Sequence, residues 1–503
     1  MRISRQTLYA TLTLSLAPQT IGAVVYTENL DRCLTAEEAD EIESALANGE
    51  TVDIFPDKVQ PDQSSYWDIS YHGTYKILKN TQPDVDTSYL LHQCGLPMPL
   101  TETEREQFDG VFEVPYSGGL LVTATTTIPN IEILGRRSQI KAFAVDENLI
   151  SSPCLSQVVI PAGKDDGSIT FLPLYNDTAI EEYVIEHPDT VVFGGGFDTN
   201  KRSPKQKIII SSVGESPQLA KENGRDINQA IFEWLEVYGS MFNQERLAKE
   251  TVEETAARYE CHAENAAILS EERQRRRQLQ RHGRDLHAGK HPVVLWAYHT
   301  QEYDGTDVGW DVGECPNYYC TYATHCHVEI LNSTAGSVDR WGYTYMTDEE
   351  FMEFGKNADV WVYPSSDWNR LIEQKADFLS QFKSVQTKEV YDFQMSGKDA
   401  WFEQRLAEYD TVLLDMCDIV DRDVPTDPPH VRKWFRNVFD DGVGSLGTCS
   451  NDDEEYMPRV TECVRADETP ESGINPEPSS TSSRNVVDSF FLCGLLLGVW
   501  SGS

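Results

Sequence analysis

The sequence predicts an α/β protein in which two Rossmann-like lobes are bridged by one long helix. Three observations support this fold class. Units of helix, strand and loop recur in both halves of the chain, as in parallel sheets. An amphipathic helical segment separates the two halves. The chain has 503 residues, more than one hydrophobic core usually serves, and its 40% hydrophobic content is that of a globular protein.

The first residues have the order of a secretory signal peptide. Two arginines precede an apolar stretch that ends at Ala17, and small residues continue to Ala23. This stretch is shorter than the ~20 residues that a membrane span needs. We therefore expect a signal peptide over residues 1–23 and a mature chain that begins near Val24.

Residues 24–225 are predicted to form the N-terminal lobe with a helix-rich lead-in. The segment "YWDISYHGTYKILKN" alternates polar and apolar residues, as strands do. "GGLLVTATTTIPNIEILG" predicts a buried strand, a threonine-rich turn and a helix that ends at Gly135. "IEEYVIEHPDTVVFGGGFD" predicts a helix, a proline stop, a strand from Thr190 to Phe193 and a glycine-rich loop.

Residues 226–290 are predicted to form the bridging helical segment, because apolar residues recur mostly three, four or seven apart from Ile227 to Tyr259. The basic run near its end is interpreted as a solvated helix end. Residues 291–465 are predicted to form the C-terminal lobe. There, "TDEEFMEFGKNADVWVYPSSDWN" repeats the order of helix, strand and loop.

Residues 466–503 read as a polar spacer followed by a hydrophobic anchoring tail, "VVDSFFLCGLLLGVW". Two interpretations stay open. The tail is exchanged for a lipid anchor, or it is a short membrane-anchoring helix. Both lead through the secretory pathway to the extracellular side of the plasma membrane.

The cysteines and sequons agree with that route. Of eleven cysteines, Cys493 lies in the tail, and the remaining ten are an even number suited to disulfides. Asn176 in "NDT" and Asn332 in "NST" are predicted glycosylation sites.

One cluster, "ECPNYYCTYATHCHVE", offers possible metal ligands: Cys315, Cys320, His325, Cys326 and His327. Three interpretations compete for it. The cysteines form disulfides, four of the residues bind zinc, or a histidine contacts a ligand. The spacing and the secretory route favour disulfides, and we predict no protein-bound metal.

The formal net charge of -40 argues against nucleic acid or an anionic membrane as a partner, because phosphate binding needs a positive field. The sequence also lacks a phosphate-binding loop, a dinucleotide fingerprint, a nucleophile elbow and an HExxH pair. We therefore predict no enzymatic activity and no catalytic cofactor. A neutral or cationic small ligand fits this composition better.

A cleft between the lobes is the predicted ligand site. Open α/β sheets bind ligands beyond the carboxyl ends of their strands, and in both lobes the loops at these ends carry aromatic residues and glycines. For any single aromatic residue, packing in the core is the competing interpretation. The loop residues are Thr125, Thr126, Thr127, Phe193, Gly194, Gly195, Phe197, Tyr298, Trp310, Trp341, Tyr363, Trp368, Trp401 and Phe402.

The order of "TTTIPNIEILG", "HPDTVVFGGG", "VLWAY", "RWGYTYMTDEEFMEFGKNADVWVYPS" and "AWFEQR" resembles the substrate-binding proteins of vitamin B12 and ferric-siderophore import. Among them, "GWDVGECPNYYC" and "WFRNVFDDGVGSLGTCS" are most similar to the eukaryotic, algal cobalamin acquisition proteins. The resemblance covers roughly Phe55 to Cys449. It implies the helical-backbone fold of those proteins, with two lobes on one rigid helix, a shallow cleft and little closure on binding.

The resemblance also implies contact residues. These are the turn from Ala124 to Thr126, the loop from Phe193 to Gly195, Trp341, and an aromatic-Glu-Arg segment that matches Trp401, Phe402, Glu403 and Arg405. Gln404 separates the glutamate from the arginine, unlike in the family pattern. Glu403 is expected to accept hydrogen bonds from ligand amides, and Arg405 to donate to ligand carbonyl or phosphate groups.

The expected function is that of a cell-surface protein that binds cobalamin and captures it for uptake. The alternative in the same class is a ferric-siderophore binding protein, and the alternative from another class is a secreted zinc-dependent enzyme. A membrane permease or an endocytic receptor is the expected transport partner.

Overall fold

The computed structural model describes residues 23–466, apart from 84, 175, 195–207, 211–213, 281–291, 302–306, 334–341, 452–455 and 457. The predicted signal peptide and anchoring tail, including Cys493, lie outside the described residues. Helices and strands alternate along the chain, and two main sheets each have helices packed against them, so the predicted α/β class with two lobes is confirmed.

The first lobe holds a five-stranded parallel sheet in the order β11-β10-β7-β8-β9, and a separate four-stranded sheet, β3-β4-β5-β6. Its elements are β1 (Ala23–Val25), α1 (Ala36–Ala47), β2 (Thr51–Asp53), β3 (Trp67–Tyr71), β4 (Tyr75–Asn80), β5 (Thr87–Gln93), α2 (Glu102–Arg105), β6 (Gly110–Val114), β7 (Gly119–Val122), α3 (Ile128–Ile133), β8 (Ile140–Phe143), α4 (Ile160–Asp166), β9 (Thr170–Phe171), α5 (Asp177–Glu186), β10 (Thr190–Gly194) and β11 (Ile208–Ile210).

The predicted strand, turn and helix around the threonines are present. β7 is fully apolar after its first glycine and lies in the middle of the sheet, as a continuous hydrophobic strand should. Residues Thr125–Thr127 form a 3₁₀ turn, and α3 follows directly. Gly135 stops the helical path with a φ of +64°, a conformation that glycine adopts without strain.

The helices between the lobes are α6 (Pro217–Glu222), α7 (Ile227–Phe232), α8 (Trp234–Met241) and α9 (Glu245–Gln280). The long helix is α9, and two short helices precede it where the sequence periodicity suggested one continuous helix. A buried ion pair fixes the start of α9 to the four-stranded sheet. The Lys76 ammonium contacts the Glu245 carboxylate and donates to the Ser240 carbonyl at 2.8 Å.

The second lobe contains a seven-stranded mixed sheet in the order β15-β13-β12-β16-β17-β19, in which β14 also pairs with β12. Its elements are β12 (Val293–Gln301), β13 (Asp307–Gly313), α10 (Tyr318–His325), β14 (Glu329–Ile330), β15 (Tyr343–Met346), α11 (Asp348–Gly355), β16 (Val360–Val362), α12 (Trp368–Leu379), α13 (Lys383–Gln386), β17 (Val390–Asp392), α14 (Ala400–Gln404), α15 (Tyr409–Asp418), β18 (Thr426–Asp427), β19 (Arg436–Asn437) and β20 (Glu462–Cys463).

One hydrophobic core runs through both lobes and the helices between them. Phe193 of the first sheet packs edge-on against Tyr238 of α8, and Phe232 of α7 packs against Tyr409 of α15, with ring centroids 4.8 and 5.7 Å apart. Because the core crosses the junction, separating the lobes would expose apolar surface at ~25 cal/mol per Å². Packing therefore fixes the position of each lobe relative to the other.

Five disulfides pair all ten cysteines of the described residues, which confirms the disulfide prediction. Two of them fasten the C-terminal segment, since Cys449 is bonded to Cys154 of the first lobe and Cys463 to Cys261 of α9. Among the described residues, no helix combines the length and the apolar character required to cross a membrane.

Candidate functional site

Loops from the two lobes meet at one place, on the side predicted for the ligand site. The 3₁₀ turn Thr125–Thr127 follows the carboxyl end of β7, and α14 follows β17 a few residues later. α14 packs against this turn and against α3. Open α/β sheets bind their ligands beyond the carboxyl ends of strands, and both segments lie there.

Glu403 connects the two lobes. Its buried carboxylate accepts a hydrogen bond from the backbone N–H of Ser151 at 2.8 Å and another from that of Ser152 at 2.7 Å. The side-chain amide of Gln404 also donates to it. The predicted role of this glutamate was to accept from amide N–H groups of a ligand. In the structure, the backbone amides that it binds belong to the first lobe, and the Gln404 amide belongs to α14 itself.

Burial away from water raises the pKa of Glu403 to about 8, and the nearby Glu132 carboxylate adds to the rise, while the Ser151 N–H opposes it. Glu132 is itself buried. It accepts from Arg137 Nε at 2.7 Å and from Ser152 Oγ at 2.8 Å. A chain of hydrogen bonds therefore runs from Arg137 through Glu132 and Ser152 to Glu403, and all four residues are buried.

A disulfide reinforces the same contact. Cys154 lies two residues beyond Ser152, and its bond to Cys449 spans 295 residues of sequence. Gln157 next to it donates to the Gly447 carbonyl at 3.1 Å. We call this contact between the lobes the seam. It consists of α14, Thr125–Thr127, Ser151–Ser152 and the Cys154–Cys449 bond.

Trp401 is a core residue of the second lobe. Its side chain is 1% exposed, and its ring stacks on Phe393 with centroids 5.5 Å apart, while Trp434 and Phe435 pack around it. The ring supports α14 from behind and does not reach the surface. Its predicted contact with a ligand stays a prediction, and packing is the role that its position supports.

Phe402, the next residue, points outward. Its side chain is 53% exposed, and it is the exposed phenylalanine among the described residues. The ring also touches Phe393 edge-on, with centroids 5.2 Å apart, so its orientation is partly fixed. Ala124, Thr125 and Thr126 on the opposite side of the seam are partly exposed. These four residues, together with the partly exposed Arg405, are the predicted contacts beside the seam that a ligand could reach.

Arg405 is the unusual charge at this site. Its guanidinium lies over the ring of Tyr318 at 4.1 Å and over that of Trp401 at 5.1 Å. Within the described residues it forms no ion pair, and its Nε and Nη1 atoms are buried without a hydrogen-bond partner. A cation held only by aromatic rings is available to an anion or a carbonyl oxygen.

The other predicted residues divide into two groups. Phe193, Gly194, Trp310, Tyr363 and Trp368 are buried, and Tyr298 is partly buried against Tyr343. Trp368, for example, packs edge-on against Trp361 at 5.4 Å in an aromatic core on the second sheet. Gly195, Phe197 and Trp341 lie outside the described residues. The ligand contacts predicted for both groups remain predictions.

The zinc interpretation is wrong, because its thiol ligands are oxidised. Cys315 is bonded to Cys320, and Cys326 to Cys417 of α15. His325, a further residue of that cluster, is hydrogen-bonded through Nδ1 to the Tyr259 hydroxyl at 2.9 Å. A sulfur in a disulfide does not supply the thiolate that zinc binds.

Both sequon asparagines are exposed. Asn176 caps α5 by accepting from Ala179 N at 3.1 Å, and Asn332 accepts from Cys315 N at 2.6 Å. Their side-chain nitrogen atoms are not part of these bonds. Glycosylation at the two positions stays a prediction.

Sequence reasoning missed the parts of the seam that come from outside the strand-end loops. Ser151 and Ser152, whose N–H groups bind Glu403, carry no motif. The one available signal was the even number of cysteines, which predicts pairing but not which cysteines pair.

No protein-family model matches the chain, and no curated protein matches it. Several solved structures are similar. A TroA-like periplasmic binding protein, FepB, from Veillonella parvula has 12% identity and a TM-score of 0.41 over 64% of this chain and 95% of that one. A possible iron-binding periplasmic solute-binding protein from Staphylococcus epidermidis has 12% identity and a TM-score of 0.39 over 61% and 99%.

A periplasmic heme-binding protein, HutB, from Vibrio cholerae has 12% identity and a TM-score of 0.36 over 59% of this chain and 99% of that one. The roles given to residues of this chain rest on its own contacts.

Proposed function

We propose that the protein is a non-catalytic binding protein that captures a large metal complex at the surface of the seam. One observation carries the proposal. Loops that follow strand ends in both lobes meet beside an aromatic ring that points outward. Phe402 is exposed there, and Thr125 and Thr126 are partly exposed opposite it. An aromatic face next to hydroxyl groups suits a ligand with a broad apolar surface and a polar fringe.

The ligand class has two members that different observations support. Cobalamin is supported by the sequence segments that resemble the algal cobalamin acquisition proteins, and its disc-shaped ring would stack on Phe402. A ferric siderophore is supported by Arg405, a cation without an anionic partner among the described residues, since many siderophore complexes of iron carry negative charge.

Capture without lobe closure is part of the proposal. The continuous core, the Glu403 hydrogen bonds and the Cys154–Cys449 bond all hold the lobes together at the seam. A binding surface that is formed before the ligand arrives loses little entropy on binding. The resemblance implied the same behaviour, a shallow cleft with little closure.

Location and delivery follow as further elements of the proposal. Five disulfides support folding in an oxidising compartment, in agreement with the predicted signal peptide. The hydrophobic tail would keep the protein at the cell surface, where it would deliver its ligand to a permease or an endocytic receptor.

Titration of the purified protein with cyanocobalamin, an uncharged ferric hydroxamate and an anionic ferric catecholate tests the proposal. Tryptophan quenching and calorimetry report affinity and stoichiometry. We expect saturable 1:1 binding of one class at micromolar concentration. Phe402→Ala should weaken it about 3- to 10-fold, the loss of one aromatic contact of about 1 kcal/mol.

The matched control is Ile185→Ala, which removes a side chain that is 78% exposed on α5. It should bind like the unmodified protein. The proposal fails if none of the three complexes binds saturably, or if Phe402→Ala and Ile185→Ala have the same affinity.

A further inference from the structure

A cavity lies between the helices that join the lobes and the start of the second lobe, and no residue of the seam lines it. Its volume is about 480 Å³, within the ~300 to 1,000 Å³ range of small-molecule sites. α6 and the start of α7 form one wall, and α10 with β14 forms the other. We call it the helix cavity. None of the residues predicted for the metal complex lines it.

Its walls are firmly held on both sides. Cys315–Cys320 bridges the first turn of α10, and Cys326, just after that helix, is bonded to α15. On the opposite wall, Arg225 donates to the Ser64 carbonyl at 2.8 Å and thereby ties the α6–α7 turn to the first lobe. The cavity is therefore formed before any ligand arrives, which lowers the entropic cost of binding.

Most of the lining is apolar. The hydrophobic part consists of Pro217, Ala220, Ile227, Pro316, Ala323, Val328 and Ile330. Such a surface favours a hydrocarbon or aromatic group, because each buried CH₂ gains ~0.8 kcal/mol. A wholly polar ligand such as a free sugar would leave this surface without a complementary partner.

The charged residues of the lining are mainly basic, although the whole protein is strongly acidic. Lys221 and Arg225 carry positive charge, His325 contributes an imidazole ring, and Glu329 is the one carboxylate in the lining. Lys221 and Arg225 form no ion pair within the described residues. Their charges act at short range, whereas the net charge of -40 is screened over a Debye length of ~8 Å at physiological salt.

His325 is oriented for a ligand by groups behind it. Its Nδ1 is 2.9 Å from the Tyr259 hydroxyl of α9 and 3.8 Å from the Asp226 carboxylate at the start of α7. The Asp226 carboxylate is occupied on its other side, since it accepts from the N–H groups of Asn228 and Gln229. Nε2 has no partner among the described residues, so it remains for a ligand that occupies the helix cavity.

From this combination we infer that the helix cavity is a second binding site, for a small amphipathic anion with an apolar body and a carboxylate or sulfonate head. The apolar lining takes the body, and Lys221, Arg225 and His325 receive the head. This site is separate from the seam, so a ligand there could be present together with the metal complex.

The probe for the test is 1-anilinonaphthalene-8-sulfonate, an apolar anion whose fluorescence rises in apolar surroundings. It is titrated into the purified full chain and then displaced by decanoate or by decyltrimethylammonium, which has the same apolar chain length and the opposite charge. We expect one site per chain, with displacement by decanoate at least 10-fold more effective than by the cation.

Two variants locate the site. Lys221→Glu should weaken probe binding at least 10-fold, and Thr324→Trp, at an exposed position of the lining, should abolish it by filling the cavity. Lys356→Glu, at an exposed lysine after α11 with the same charge change, is the matched control and should bind normally. Circular dichroism verifies that each variant is folded.

The metal complex provides the second readout. Thr324→Trp should keep its affinity for the complex, and Phe402→Ala should keep its affinity for the probe. Equal displacement by anion and cation, or normal probe binding in folded Thr324→Trp, would overturn the inference while leaving the proposed function intact. Loss of metal-complex binding alone would overturn the proposed function and not this site.

Discussion

The second lobe contacts the first lobe at the seam and the joining helices at the helix cavity, and these two contacts are built in opposite ways. At the seam, the buried Glu403 and Glu132 accept hydrogen bonds from N–H and guanidinium donors, and a disulfide crosses the contact. At the helix cavity, the contact between α7 and α10 leaves a space of about 480 Å³ with basic residues in its wall. The seam is held together by hydrogen bonds and a disulfide, whereas the helix cavity leaves room for a small molecule.

The two disulfides beside these regions should differ most clearly in their effect on stability. Replacing both Cys154 and Cys449 by serine releases a link over 295 residues and should lower the free energy of unfolding by about 4 to 5 kcal/mol in the chain-entropy account. Cys315–Cys320 spans 5 residues, and its double serine variant should lose about 2 kcal/mol. Urea unfolding without reductant measures both.

Similar losses for the two double variants would contradict the comparison, because the bond at the seam would then not restrict the lobes more than a local loop does. The Cys261–Cys463 bond shortens the loop that the seam disulfide closes. The expected loss is therefore smaller than the roughly 5.7 kcal/mol that a loop of 295 residues would give alone.

Trp401 provides the next largest effect. Truncation to alanine leaves a cavity behind α14 among Phe393, Trp434 and Phe435, and should cost about 3 to 4 kcal/mol of unfolding free energy. The neighbouring Phe402→Ala should change stability by less than about 0.5 kcal/mol, because that ring is half exposed. Thermal and urea unfolding of the two variants distinguish a residue that supports α14 in the core from one that is exposed to contact a ligand.

If Trp401→Ala unfolded like the unmodified protein but bound the metal complex weakly, the ring would be a ligand contact, and its packing against Phe393 would not describe the working state.

These neighbours illustrate what a sequence can predict. The order of elements was readable because it depends on local patterns: β7, α5, β10 and β16 occur where apolar runs, prolines and glycines indicated them. The loops that meet at the seam were also predicted, because parallel strands direct their carboxyl ends to one edge. Local pattern and sheet geometry together therefore gave the location of the candidate site.

The direction of each side chain was not readable. "AWFEQR" gives no sign that Trp401 points into the core and Phe402 outward, since this depends on the angle at which α14 meets Phe393. The partner of Glu403 lies about 250 residues earlier, at serines without a motif. Long-range contacts of this kind, like the pairing of cysteines, are decided by tertiary packing.

Glu403 should have a smaller effect on stability, with a characteristic dependence on pH. Glu403→Gln replaces one acceptor oxygen by an NH₂ group that opposes a backbone N–H, which should cost about 2 kcal/mol. The folded-state pKa of about 8 lies above the ordinary value of 4.5. The contribution of the carboxyl group is therefore complete below about pH 4.5 and is lost as the pH rises towards 8.

Unfolding free energies measured from pH 5 to pH 8 test this sign. The unmodified protein should lose more stability over this range than Glu403→Gln does, because glutamine has no proton to release. Glu260→Gln, at an exposed position of α9, reports the general cost of losing a carboxylate. If the unfolding free energies of Glu403→Gln and of the unmodified protein changed in parallel with pH, Glu403 would not be the cause of the pH dependence.

Arg405 should have the smallest effect on stability and the most informative effect on binding. Arg405→Met keeps an apolar contact with Tyr318 and Trp401, and the loss of the cation–π attraction is offset because two buried nitrogen atoms no longer lack partners. The unfolding free energy should change by less than about 1 kcal/mol. Affinity for an anionic ferric catecholate should fall about 10-fold, and affinity for uncharged cyanocobalamin should fall less.

Arg136→Met is the matched control, because Arg136 also lies over an aromatic ring, that of Phe242, at 5.0 Å. It should leave the affinity for every metal complex unchanged. If Arg405→Met lost 2 kcal/mol or more of unfolding free energy and bound every metal complex normally, Arg405 would have a structural role. Normal stability with weakened binding would make Arg405, directly after α14, a contact for the ligand.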